Sequence, residues 1–287
     1  MTAEIATERE DDALLAPSGK GAGDENFPVA SRLIARRLRL HVMAYYAFAR
    51  ATDDIADDPH LAPEEKVRRL DACGAALRTG RGGPAIARRL GASLAETGIP
   101  VECATDLLVA FRQDALKARY ADWDELLDYC AHSAHPVGRY LLRLHGEDRA
   151  TEGPGDALCA ALQVLNHLQD LRPDRERLDR VYLPASIMAE AGIDETALDA
   201  PSASPGLRRA IDACLDRTDR LLERSAPLAA MVRDRRLAAE VAVIQRLARC
   251  LARRLRREDP LATRVRHRPL DLALGAFAGL SRLARPG

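Results

Sequence analysis

Two short stretches of the sequence place polar and acidic side chains at the spacing of successive helical turns. In the first, YAFARATDDIADD, the residues Tyr46, Arg50, Asp53 and Asp57 are spaced i, i+4, i+7 and i+11. On a helix that turns by roughly 100° per residue, these four side chains share one face. The stretch therefore aligns a hydroxyl, a guanidinium and two carboxylates over about three turns.

Two further acids sit beside that face. Asp54 lies at its edge and Asp58 lies beyond it, close to the expected end of the helix. Carboxylates this close repel each other and reduce helix stability, so an acidic cluster on an apolar segment predicts a positively charged ligand. We expect Asp54 to be a marginal member of such a site and Asp58 to be a solvated residue.

The second stretch, QVLNHLQDLRPD, repeats the pattern. Gln163, Asn166, Asp170 and Asp174 are spaced i, i+3, i+7 and i+11, and they share a face if the helix persists. Pro173 lies between the two acids, and proline inside a helix kinks or ends it. Either Asp174 still reaches a metal, or Asp170 carries most of the second site.

Divalent-metal chemistry fits both stretches. Mg²⁺ binds a few carboxylates together with water and substrate phosphates, and the bound metal stabilises a departing diphosphate. Arg50 could add a charge-assisted hydrogen bond to a phosphate oxygen. The alternative is that each acidic run is a solvated helix end. An EF-hand starting at Asp53 is excluded, because Ile55 and Asp58 occupy positions that need a ligand and a glycine.

Composition indicates an all-α protein. Of the 287 residues, 47% are hydrophobic and only 4% are aromatic, and runs of alternating β-branched residues are scarce. The net charge of +0 offers no basic footprint for nucleic acid. The six cysteines form no metal-ligand or CxxC pattern, which is typical of buried, reduced thiols.

Apolar periodicity predicts ten helices separated by glycine- and proline-rich breaks. They cover about 28–57, 63–78, 83–97, 101–119, 122–145, 156–172, 184–192, 206–226, 229–257 and 268–284. We expect residues 1–23 to be a disordered tail, and 24–287 to form a single domain. LALGAFAGL, at 272–280, is too short to span a membrane and predicts a core helix, with surface membrane contact as the alternative.

Four segments of the chain resemble the squalene/phytoene synthase family. They are YAFARATDDIAD, YADWDELLDYCAHSAHPVGRYLLRLHG, LQVLNHLQDLRPD and DRVYLP, which occur in the family's order and spacing. Within the family, DENFPVASRLI and RHRPLDLAL are most similar to bacterial hydroxysqualene synthases of hopanoid biosynthesis. The resemblance covers about 25–280 and implies an all-α isoprenoid synthase bundle around a central cavity. Two aspartate-rich motifs on opposite walls of that cavity would bind Mg²⁺ and diphosphate.

The resemblance also implies roles for individual residues. The first metal motif is Asp53, Asp54 and Asp57, and the second is Asp170 and Asp174. The residues expected to contact substrate or act in catalysis are Tyr46, Arg50, Tyr129, Gln163, Asn166 and Arg180. Asp114 matches a recurrent acidic position without a clear role, and His167 is a candidate cavity residue.

The implied reaction converts presqualene diphosphate into hydroxysqualene and diphosphate. It needs Mg²⁺ and no NADPH, because water ends the reaction in place of hydride, and no dinucleotide-binding glycine motif is present. Head-to-head condensation of prenyl diphosphates and a non-catalytic helical scaffold are the alternatives. We expect a cytoplasmic location, with contact to the inner-membrane surface and to other enzymes of the squalene and hopanoid pathway left open.

Overall fold

The structure, a computed structural model, describes residues 34–284 and is all-α over that range. The only β-type pairing among the described residues is an isolated bridge between Arg119 and Val181. The predicted all-α class is therefore confirmed. The tail expected at 1–23, and the beginning of the helix predicted from residue 28, lie outside the described residues.

The described chain divides into two compact units, the first ending at Lys117 and the second beginning at Ala118. The first unit contains a 3-10 turn at Arg36–Leu38 and four helices. These are α1 (Arg39–Asp57), α2 (Pro63–Thr79), α3 (Ala85–Thr97) and α4 (Glu102–Leu116). Helices α1 and α2 each pack against both α3 and α4. The prediction of a single domain over 24–287 stays a prediction.

Close approach of α2 and α3 depends on one glycine. A Cβ atom at Gly91 would lie 2.5 Å from the carbonyl oxygen of Leu77, which is well inside normal contact distance. Only glycine lets the two backbones meet at this separation. Since α1 packs on α3, this contact helps to fix the helix that carries the first acidic stretch.

The second unit is built around a long central helix, α7, which packs against α5, α6, α10 and α12. Its helices are α5 (Trp123–Ser133), α6 (His135–Leu144), α7 (Glu152–Gln169), α8 (Leu171–Leu178), α9 (Ala185–Glu190), α10 (Pro205–Ser225), α11 (Leu228–Met231), α12 (Arg235–Leu255) and α13 (Pro269–Ala284). Two 3-10 segments, Arg149–Thr151 and Glu195–Asp199, complete it. Helix α13 packs along α12.

Two of the helices predicted outside the acidic stretches are each divided in the structure. The one predicted over 122–145 breaks at Ala134, whose φ and ψ are −121° and −42°, and α6 then begins at His135 with Pro136 in its first turn. The one predicted over 229–257 is interrupted at 232–234, and Asp234 caps α12 by accepting hydrogen bonds from Arg236 and Leu237. Local capping and proline chemistry end these helices where apolar periodicity continues.

The cysteines and the last helix, α13, test two further predictions. All six cysteines are free, and burial raises the pKa of Cys73 to about 12. Five of them are buried, which confirms the prediction of buried thiols for those five, whereas Cys159 is half-buried. The prediction of a core helix at 272–280 is wrong for one side of α13, where Phe277 is 69% exposed. No helix of the described residues is long and apolar enough to cross a membrane.

Candidate active site

Arg50 links two carboxylates of the first acidic stretch. Its Nη1 donates to Oδ2 of Asp53 at 2.9 Å, and its Nη2 donates to Oδ1 of Asp54. These pairs are one helical turn apart, the spacing at which side chains on α1 meet. The Asp54 side chain is 10% exposed and that of Asp53 is 33% exposed. The expectation that Asp54 is marginal therefore understates its part in the cluster, because the long guanidinium reaches across the helix face to both acids.

Negative charge around Asp53 exceeds what Arg50 neutralises. Burial and repulsion from Asp57 raise the pKa of Asp53 well above its usual range, and Arg50 offsets only part of this effect. Asp54 and Asp114 add further repulsion. A carboxylate whose pKa is raised by burial and by neighbouring carboxylates marks a place where added positive charge is favourable.

Asp114 is the member of this cluster for which sequence reasoning found no role. It lies on α4, is 8% exposed, and is close enough to raise the pKa of Asp53. Its match to a recurrent acidic position of the family indicated that Asp114 has a role, but spacing along one helix could not connect Asp114 to α1. Packing of α4 on α1 makes that connection.

Asp57 and Asp58 lie on either side of the end of α1. Asp57 is the last residue of the helix, and Asp58 follows it with extended backbone. The Asp58 carboxylate accepts a hydrogen bond from the His60 amide at 2.8 Å, so it caps the following turn. The prediction that Asp58 lies at the helix end is confirmed. Tyr46 is half-buried on α1, one turn before Arg50.

The second acidic stretch spans two helices. Helix α7 ends at Gln169, Asp170 adopts φ −105° and ψ 19°, and α8 begins at Leu171. Pro173 thus lies in the first turn of α8, where a helical amide has no partner to lose. The amide of Asp174 donates to the carbonyl of Asp170 at 2.9 Å. The prediction of a helix through 172 is wrong, since the chain breaks before the proline.

Asp170 is held by an arginine that sequence reasoning missed. Arg264 places its Nε 3.0 Å from Oδ1 of Asp170, and its Nη2 donates to Oδ2 at 3.2 Å. This paired geometry fixes the carboxylate more firmly than a single contact does. The two residues are 94 positions apart, and neither periodicity nor spacing could have joined them.

His167 joins the other polar groups of the second stretch to a set of tyrosines. Its Nε2 lies 3.2 Å from Nε2 of Gln163, and its Nδ1 lies 3.9 Å from a carboxylate oxygen of Asp174. The imidazole stacks on Tyr182 with ring centroids 3.6 Å apart, and the Tyr129 ring lies 5.9 Å from it. The structure thus brings together Gln163, Tyr129 and Asp174 through a residue that the sequence placed only as a cavity candidate.

The segment that carries Tyr182 is fixed by backbone bonding. The Val181 amide donates to the carbonyl of Ala118 at 2.8 Å, and the Arg180 amide donates to the carbonyl of Asp174 at 3.0 Å. Arg180 is buried, at 6% exposure, and its amide contact places its backbone beside α8. Asn166, on α7, accepts the amide hydrogen bond of Asp170 through its carbonyl. The substrate-binding roles of Asn166 and Arg180 stay predictions.

A small apolar cavity adjoins His167 and Tyr182. It is lined mainly by leucine and valine side chains, including Val164 and Leu168. The faces of such aromatic rings attract positive charge without a solvating water.

The carboxylates fit Mg²⁺ by their chemistry. Within residues 34–284, no three histidine, cysteine or acidic side chains converge as a ready-made metal site. The first stretch nevertheless offers hard oxygen donors whose repulsion a cation would relieve, as the raised pKa of Asp53 indicates. Asp53, Asp54 and Asp57 are the residues of the first unit that could hold a metal ion, and Asp170 and Asp174 are those of the second unit.

Comparison with known proteins agrees with this fold. The family model described as squalene/phytoene synthase matches residues 21–272. The chain is 45% identical over 265 residues to the hydroxysqualene synthase of Rhodopseudomonas palustris, covering 92% of this chain and 90% of that protein. It is 42% identical over 280 residues to the hydroxysqualene synthase of Zymomonas mobilis, covering 96% and 94%. The solved squalene synthase of Alicyclobacillus acidocaldarius is 29% identical, with a TM-score of 0.73 and coverage of 90% and 95%.

Proposed function

The chain belongs to the squalene/phytoene synthase family, and we propose that it converts presqualene diphosphate into hydroxysqualene with release of diphosphate. The observation that carries this proposal is the identity of 45% and 42% to two hydroxysqualene synthases, each over more than nine-tenths of the chain. Matches of this length and identity favour the same reaction over the condensing reactions of the wider family.

The proposed reaction balances without a redox partner. The carbon–oxygen bond to diphosphate breaks, and the electron pair leaves with the diphosphate. The resulting cyclopropylcarbinyl cation rearranges to an allylic cation, a water oxygen bonds to it, and one proton is released to solvent or diphosphate. No hydride is consumed, so this reaction requires no NADPH.

Arg50 and the first acidic cluster are proposed to act at the diphosphate. Mg²⁺ bound by the aspartates would neutralise phosphate oxygens and make the diphosphate a better leaving group. Arg50, held by Asp53 and Asp54 on one face of α1, is placed by the same helix as Tyr46. We infer that both side chains donate hydrogen bonds to phosphate oxygens as negative charge builds there.

The aromatic cluster of the second unit is proposed to stabilise the cation. Tyr129 and Tyr182 present rings to His167, next to the apolar cavity. Such a lining excludes stray water and lowers the energy of a cation by its ring faces. Gln163, which contacts His167, could then orient a single water or a phosphate oxygen.

The proposed substrate and product are long hydrocarbons, which dissolve in lipid far better than in water. We therefore infer a cytoplasmic enzyme that works at the membrane surface, next to other enzymes that make its substrate and consume its product. Farnesyl diphosphate as the true substrate, in a head-to-head condensation, is the competing proposal.

A product assay separates these reactions. The purified protein is incubated with Mg²⁺ and either presqualene diphosphate or farnesyl diphosphate, and the products are identified by mass spectrometry. We expect hydroxysqualene from presqualene diphosphate alone, and loss of turnover on chelation by EDTA with recovery on added MgCl₂. Turnover of farnesyl diphosphate would support the condensing alternative, and inactivity towards both would support a non-catalytic scaffold.

Site variants test the acidic residues separately. We expect Asp53→Asn and Asp170→Asn each to lower turnover by at least about a hundredfold, the scale of losing one preorganised charge contact. Asp58→Asn is the matched control, because Asp58 caps a turn outside the cluster. If both active-site variants keep full turnover, the metal-binding assignment is wrong even if the substrate is right.

A further inference from the structure

Helix α13 presents one continuous apolar face to solvent. Leu270 is 68% exposed, Phe277 is 69% exposed and Leu280 is 65% exposed, and Leu272 is 54% exposed. On a helix these four side chains fall within an arc of about 160°. The exposed residues Ala273 and Ala276 lie between them. Contiguous exposed apolar side chains of this kind commonly mark a surface that binds a protein or a membrane.

The opposite face of α13 fixes the helix in this orientation. A Cβ atom at Gly279 would lie 2.8 Å from a methyl carbon of Val243 and 3.4 Å from the carbonyl oxygen of Ala239, both on α12, so α13 packs closely on α12 at this point. Asp271 is 6% exposed and accepts hydrogen bonds from Arg254 Nε at 2.5 Å and from the Arg268 amide at 2.8 Å. The helix therefore cannot roll its leucines inward without breaking a buried charge pair.

Basic side chains flank the apolar face. From 261 to 287 the sequence contains five arginines and one acid, Asp271, which is buried and paired. Arg266 is exposed, and Arg268 is 63% exposed while it donates to Glu258. The solvent-facing charge of this segment is thus positive, next to leucine and phenylalanine side chains.

Apolar residues on one helix face with arginines beside them match the surface of an anionic membrane. We propose that α13 lies in the headgroup region of an anionic phospholipid bilayer, with Phe277 and Leu280 among the acyl chains and Arg266 near the phosphates. A second copy of the chain fits less well, because a symmetric contact would set the same arginines against each other. This proposal specifies which surface would bind the membrane in the location proposed above. Binding itself requires no catalytic turnover.

Vesicle flotation of the full chain tests the surface. We expect the protein to float with vesicles of phosphatidylcholine mixed with phosphatidylglycerol, and more weakly with phosphatidylcholine alone. The double variant Phe277→Ser/Leu280→Ser should bind the mixed vesicles at least about tenfold more weakly. Leu116→Ser is the matched control, because Leu116 on α4 is 66% exposed and lies outside this face. Thermal melts should show all three proteins folded.

The contribution of arginine charge and the depth of insertion into the bilayer are tested separately. Arg266→Gln should weaken binding to the mixed vesicles and leave binding to phosphatidylcholine unchanged, and added salt should act in the same direction. With Trp123→Phe as background, Phe277→Trp fluorescence should be quenched by lipids brominated on the acyl chain.

Three results would overturn the proposal. These are no flotation of the wild-type protein, flotation that the double variant does not weaken, and a dimer in sedimentation that the double variant converts to monomer. The inactive Asp53→Asn variant should float like the wild type, so failure of the surface and failure of the proposed reaction can be told apart.

Discussion

Replacing Asp53 by asparagine should stabilise the metal-free protein while it removes the response to Mg²⁺. Asparagine keeps the shape of the side chain and an oxygen that can accept from Arg50 Nη1, now 2.9 Å from the carboxylate. It removes the charge that burial, Asp57 and Asp114 oppose. Functional sites commonly hold such unfavourable charge, because the ligand later compensates for it.

Two opposing effects set the size of the expected stabilisation. Exchanging a charge-assisted hydrogen bond for a neutral one costs about 1 kcal/mol. Removing the half-buried charge gains more than this, because the pKa of Asp53 is raised in spite of Arg50. Solvent reaches 33% of the side chain and screens part of the gain, so we expect a net stabilisation of about 1 kcal/mol. That corresponds to roughly 2 °C in Tm for a chain of this size.

The assay is thermal unfolding with and without MgCl₂ and inorganic diphosphate. The wild type should melt higher with both present, since a ligand that binds only the folded state stabilises it. Asp53→Asn should melt higher than the wild type without them and gain little from them, and Asp58→Asn should behave as the wild type. A variant that melts lower without metal, or that keeps the full metal shift, would refute the charge argument.

Two further predictions concern packing and pH. Gly91→Ala should destabilise the protein in urea, because the new methyl would meet the Leu77 oxygen at 2.5 Å and overpacking costs about 1–3 kcal/mol, against about 1 kcal/mol gained in helix propensity. Gly153→Ala has nothing within 4 Å and should be neutral or stabilising. Asp271→Asn should cost about 2 kcal/mol at neutral pH. Burial alone would raise the pKa of Asp271, but hydrogen bonds from the Arg254 guanidinium and a backbone amide lower it overall. Its contribution is therefore complete above about pH 4 and is lost as the pH falls through the lowered pKa. The difference in unfolding free energy between wild type and variant should shrink in acid.

Helix type and the first acidic face follow from local sequence. Apolar residues at helical spacing predict the helices, and Arg50 with Asp53 lies within reach because i, i+3 contacts are a property of any helix. Resemblance to a family adds the reaction and the residue roles. Local spacing cannot reach across the fold, so it misses the contribution of Asp114 to the charge at Asp53.

The second acidic stretch shows where local reasoning ends. Periodicity places Asp170 and Asp174 on one helix, and Pro173 then looks like an obstacle to metal binding. In the structure α7 stops at Gln169 before the proline, so Pro173 starts a new helix. Asp170 leaves the helix and takes its orientation from the distant Arg264. A residue at a helix break has few backbone constraints, which lets a long-range partner decide its direction. The proline is therefore compatible with both acids serving the proposed site, and the reach of Asp170 depends on a contact that no local pattern encodes.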